Sequence, residues 1–182
     1  MSIRQEPLGA AVLARRFFTR ALSAAGLAAA LSSVVAGCAP IVPLSPAQDA
    51  ANPACAAVTV RLPDTLAGLA VRETNAQSTA AWGQPAYVIV RCGVKVPPPT
   101  ASSLCVTVDG IDWLRDDSGD PNFVFTTYGR DPAVEVIIDS DGDPNNPDDG
   151  VSGESVLSGL SAAVSRIPAV RSCVTPENAP TG

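Results

Sequence analysis

Acidic side chains are the most concentrated reactive groups in this chain. In Asp139-Ser140-Asp141-Gly142-Asp143, continuing to Asn145, Asp148 and Asp149, carboxylates recur on alternate residues, a spacing that lets several oxygens converge on one hard cation such as calcium. An EF-hand loop beginning at Asp139 would need glycine at its sixth position and glutamate at its twelfth, where Pro144 and Gly150 stand. The remaining expectations are an aspartate-rich calcium turn with Asp139, Asp141, Asp143, Asn145 and Asp148 as donors, or a solvated acidic loop. A second set, Trp82, Arg91, Trp113, Tyr128, Arg130 and Glu135, stands out in a chain that is only 4% aromatic. If the strands bearing Asp112-Trp113 and Tyr128-Arg130 lie side by side, ring faces and a guanidinium line a groove for a sugar or a peptide. The competing reading buries both tryptophans and pairs Arg130 with Asp112 or Glu135; the usual burial of large aromatics favours it.

Catalysis has little to draw on. The chain has no histidine, which removes Ser-His-Asp and Cys-His chemistry and histidine metal triads. Asp112 with Glu135 is a conceivable acid-base pair of glycosidase type, with nothing to set its separation. Lys95, the single lysine, has no serine motif beside it. An enzyme is therefore the weaker expectation, and no cofactor is expected beyond the calcium considered above.

Cysteine chemistry is more informative. Val35-Ala36-Gly37-Cys38 closes an uncharged apolar stretch that starts at Ala21 and follows Arg4, Arg15, Arg16 and Arg20 against one acid, Glu6. As a helix the stretch spans about 24 Å, short of a hydrocarbon core, so it reads as an export signal over residues 1–37 rather than a permanent span. The tetrapeptide resembles the bacterial lipobox. That resemblance implies a diacylglyceryl group on the Cys38 sulfur, cleavage before it, and a fatty acid such as palmitate on the freed amino group. Arg15-Arg16-Phe17-Phe18 also resembles a twin-arginine export signal, although Ala14 and Thr19 depart from the fuller pattern. Cleavage leaves 145 residues with eight basic and seventeen acidic groups. Such a surface repels nucleic acid and anionic lipid, so the lipid and not a basic patch is expected to hold the membrane.

The other cysteines, Cys55, Cys92, Cys105 and Cys173, are even in number and lack the close pairs of a zinc site, so two disulfides are expected. Of the three pairings, Cys92 with Cys105 is favoured because they bracket the proline-rich loop from Val96 to Leu104. Cys55 is then left for Cys173.

These groups need a frame. Residues 38–54, with Pro40, Pro43, Pro46 and Pro53, read as an extended spacer of up to roughly 50 Å. A single globular domain is expected over residues 55–175 and a disordered tail over 176–182. Asn52 and Pro53 suit a helix start, with Cys55, Val58 and Leu62 on one face, although Val58-Thr59-Val60 also suits a strand. Tyr87–Arg91 reads as a strand, and Cys105–Val108 with Ile111–Leu114 as a hairpin about Asp109-Gly110. Asn122–Tyr128 and Ala133–Ile138 read as a further strand pair. Ser152 caps a helix running to about Arg166, with Val156, Leu157, Leu160 and Val164 as its apolar stripe. The fold class is α+β: an antiparallel sheet of four to five strands with two helices packed on one face.

Trp82-Gly83-Gln84-Pro85, Arg91-Cys92-Gly93-Val94, Gly110-Ile111-Asp112-Trp113 and the run Thr126 to Val134 form an ordered set. The set resembles the domain of unknown function 3515 family over roughly Cys55 to Cys173. The resemblance implies an exported, often lipid-anchored actinobacterial protein at the cell envelope, on the extracytoplasmic side of the cell membrane, and no established activity. The expected function is a non-enzymatic binding or accessory module whose partner is an envelope protein or a cell-wall fragment. The alternatives are an Asp/Glu hydrolase of wall material and a calcium-dependent adhesion module.

Overall fold

The computed structural model describes residues 40–98, 104–141 and 150–173; the expected export signal over residues 1–37, Cys38, the acidic residues 142–149 and the tail 176–182 lie outside them. Helix α1 (Pro53–Thr59) starts where the sequence predicts. The Asn52 side chain accepts from the Ala54 N–H at 3.0 Å, and Pro53 occupies a first-turn position where its missing donor costs nothing. Strands β1 (Thr65–Leu66), β2 (Leu69–Arg72), β3 (Thr79–Trp82) and β4 (Val88–Val94) follow as one meander. A second meander contains β5 (Cys105–Val108), β6 (Ile111–Asp116), β7 (Asn122–Thr127) and β8 (Ala133–Asp139). Helix α2 (Gly153–Val164) closes the order, its first turn capped by the Ser152 hydroxyl.

The two meanders join through β4 and β8, giving an eight-stranded antiparallel sheet in the order β1-β2-β3-β4-β8-β7-β6-β5. Among the described residues the fold is α+β with two helices, as predicted, but the sheet has eight strands and not four to five. The missed strands, β1 to β3, are two to four residues long and rich in alanine or polar residues, so they lack the β-branched alternation that marks a strand in sequence. The Asp109-Gly110 hairpin is present, with both residues at positive φ, 47° and 75°.

One face of the sheet carries Trp82, Val88, Val90, Ile111, Trp113, Val134, Val136 and Ile138, each at most 2% exposed. Against it lie Cys55 and Val58 of α1 and the apolar stripe Val156, Leu157, Leu160 and Val164 of α2. Both outermost strands reach α2. Leu66 of β1 crowds Gly159, and the Ser158 hydroxyl donates to the Asp109 carboxylate beyond β5 at 2.5 Å. The sheet therefore curls about α2.

Both disulfides form, but in the other pairing: Cys55–Cys92, Cα–Cα 5.5 Å, and Cys105–Cys173, Cα–Cα 6.1 Å. Sequence proximity misleads here because β4 and β5 are not neighbours; β8, β7 and β6 stand between them. Cys92 faces α1 from the core side of β4, while Cys105 on the edge strand meets the segment that returns after α2.

Residues 40–50 also differ from expectation. They run along the sheet rather than forming a spacer, with Val42 bridged to Thr74 and Ala50 only 4% exposed. The globular part begins near Pro40, not near Cys55. Among the described residues no helix is long and apolar enough to cross a membrane.

Mass mapping of a non-reducing digest is expected to yield Cys55 linked to Cys92 and Cys105 linked to Cys173. In urea unfolding, the pair change Cys105→Ser with Cys173→Ser should cost about 4 kcal/mol, the loop-closure value for a loop of this length.

Candidate functional site

The first turn of α2 is Gly153-Glu154-Ser155, which brings no apolar side chain over the sheet. Its later turns fill their share of the core with Leu157, Leu160 and Val164. The consequence is a cavity of about 600 Å³ between that first turn and β5–β8, lined by Val106, Val108, Phe123, Phe125, Ile138 and Leu157, with Thr107, Asp109, Arg115, Ser140, Gly153 and Glu154 as the remaining lining. This volume lies within the usual range for sites that take a compact ligand or an anchoring side chain. The Arg115 guanidinium covers the Phe123 ring at 4.6 Å and is held by Asp117 at 2.6 Å, so its charge is already met. Glu154 and Asp109 leave the cavity bordered by acids.

The residues proposed from sequence are placed elsewhere. Trp82 is fully buried on β3, its indole N–H donating to the Pro63 carbonyl at 2.9 Å; Trp113 is fully buried on β6. The structure does not bring them together as a groove. Arg91 pairs with Glu135 across β4 and β8 at 2.5 Å. Tyr128 is buried beneath Arg171, whose guanidinium lies 5.4 Å from the ring centroid. Arg130 is 6% exposed and donates to the Ile167 carbonyl just past the end of α2. Helix α2 has no basic residue in its last turn, so Arg130 supplies from the β7–β8 connection the cation that this end favours. Burial lowers the Arg130 pKa, with the Asp112 charge opposing.

The acid-base pair is engaged structurally. Asp112 accepts from the Thr107 hydroxyl at 2.6 Å and from the Cys173 N–H at 2.9 Å, while Glu135 belongs to Arg91. Lys95 is exposed just beyond β4. Of the calcium donors, Asp143, Asn145 and Asp148 lie outside the described residues; Asp139 ends β8 and Asp141 is exposed beside it. Among the described residues no cluster of three acidic, cysteine or histidine side chains is placed to hold a metal ion. Partial desolvation, then the hydrogen bond and charge of Asp139 and the charge of Asp120, hold the Asp141 carboxyl above the usual range.

The cavity residues escaped sequence reasoning because alternating Val106, Val108, Phe123 and Phe125 look like ordinary core. The one available signal was the Ser152-Gly153-Glu154 start of α2, a helix entry with nothing apolar to set against two phenylalanines.

Two outcomes test these placements. Arg130→Ala, which orphans the Ile167 carbonyl and empties a buried site, should cost about 3 kcal/mol in chemical unfolding, against about 1 kcal/mol or less for the half-exposed Arg91→Ala. A carboxyl whose pKa rises on folding destabilises its charged form, and that cost vanishes as pH falls through the folded value. Asp141→Asn should thus raise Tm at neutral pH and leave it unchanged near about pH 3.

No curated protein and no solved structure matches the chain. A family model does match, over residues 20–171, and the chain therefore belongs to the family described as protein of unknown function DUF3515.

Proposed function

We propose that the chain is a lipid-anchored, non-enzymatic binding module on the outer side of the cytoplasmic membrane, and that the cavity under the first turn of α2 receives an apolar side chain of an envelope protein. The observation that carries this reading is the cavity itself: about 600 Å³, walled by aliphatic and aromatic side chains and bordered by Asp109 and Glu154. Anchoring interfaces use an apolar or aromatic side chain in such a pocket, with charge at the rim setting partner choice. An acidic rim favours a partner with lysine or arginine beside its anchor residue. The lipid anchor is supported by the lipobox ending at Cys38 and by the two disulfides, which fit an oxidising compartment. The engagement of Asp112 and Glu135 in structural bonds supports binding over hydrolysis.

The test is a photo-crosslinking residue placed at Val108, in the cavity, and in a second sample at exposed Val60, in intact cells. Capture of one envelope protein from position 108 only, weakened by salt and by Glu154→Gln, is expected. Gly153→Leu should abolish that capture while leaving the fold intact, because a Cβ there meets Phe125 at an ordinary 3.7 Å and the added side chain fills the cavity. Equal capture from both positions, or capture that survives Gly153→Leu, would overturn the assignment.

A further inference from the structure

We propose that the domain sits flush on the bilayer, with residues 40–42 and β2 at the headgroups, instead of standing off on a stalk. This rests on lipidation of Cys38 in the reading above. The Arg72 guanidinium is a clasp: one nitrogen donates to the Gly83 carbonyl at 2.8 Å and another to the Pro40 carbonyl at 2.6 Å. Beyond the clasp, Val42 donates to the Glu73 carbonyl at 2.9 Å and Leu44 to the Asn75 side chain at 2.7 Å. At the far end, Asp49 donates to Gly93 at 2.9 Å and the Ala50 carbonyl accepts from Ser78 at 2.6 Å. Gly93 is required for that approach, since a Cβ would strike the Asp49 backbone. Pro43 and Pro46 have no N–H to leave unpaired, so the proline content serves a docked extended strap as well as it serves a free spacer.

The strap removes the stand-off distance. One residue, Ala39, separates Cys38 from the clasped Pro40, and covalent geometry keeps their Cα atoms within about 8 Å. Acyl chains rooted on Cys38 must therefore enter the bilayer beside β2. Ile41 on the strap and Val71 on β2, 55% and 44% exposed, add apolar surface near the tether. Charge agrees: residues 40–98 hold four basic and three acidic side chains, whereas residues 104–173 hold four basic and thirteen acidic ones. An anionic leaflet tolerates the first group and repels the second, which turns β2 toward the membrane and the acidic meander away.

The experiment is neutron reflectometry on the full lipidated chain in a supported bilayer of phosphatidylcholine and phosphatidylglycerol, with the lipid first verified by intact mass. Protein density starting within about 10 Å of the headgroups is expected, since the tether is so short. Releasing the near end of the strap with Arg72→Ala and Asn75→Ala, while Asp49 and Ala50 stay docked, should open a solvent gap of up to roughly 30 Å, the extended length of residues 39–48. A wild-type domain that is lipidated yet stands off by such a gap overturns the flush seat and leaves the anchor intact. A folded double variant at unchanged height shows that the strap does not set the distance, and overturns it too. An unmodified Cys38 overturns the anchor and this inference together.

Discussion

The pairing of β4 with β8 is the constraint on which the molecule depends. It joins two four-stranded meanders that are otherwise separate along the chain, through six registered pairs from Val88 with Ile138 to Val94 with Ala133. On the core side of this seam Val88, Val90, Cys92, Val134, Val136 and Ile138 are at most 2% exposed, so each meander supplies what the other buries. Neither disulfide crosses it. Cys55–Cys92 closes the α1 to β4 half and Cys105–Cys173 closes the half from β5 onward, each stapled within itself. The seam itself relies on ladder hydrogen bonds, the Arg91–Glu135 pair and packing against α2, the element that touches both halves.

This arrangement explains which parts of the fold were legible in the sequence. Local chemistry was: the Asn52-Pro53 and Ser152 helix starts, the Asp109-Gly110 turn and the strands flanking it each depend on residues a few positions apart. What is set by distant partners was not. The β4–β8 seam has no local mark, and without it Cys92 and Cys105 look like neighbours when three strands separate them. Strands β1 to β3 are held by pairing in series onto β4 more than by their own short sequences. The strap over residues 40–50 reads as a spacer because proline content reports an extended backbone and says nothing of whether that backbone is docked.

The candidate site was the least legible part, for a related reason. Large, rare side chains draw attention in a sequence, and here Trp82, Trp113, Tyr128 and Arg130 are used for the interior and for the end of α2. A cavity is a deficit of side chains at one place, and deficits show only once two elements are set against each other. Gly153 above Phe125 is such a case: neither residue is unusual until the helix lies on the sheet.

On the proposed reading the two halves also divide the work. The half with the strap and β2 is nearly neutral and stands next to the proposed tether, whereas the cavity lies in the half that holds the excess of acids. Were the same acids spread evenly, an anionic membrane would repel the tethered edge and the rim of the cavity alike. Segregation would let one end lie on the bilayer while the other keeps a field suited to a basic partner. Because α2 reaches from Leu66 of β1 to the cavity wall at Gly153 and Leu157, the element that bounds the site is braced by the half that carries the strap. The site is thus held by packing across the seam between the two meanders.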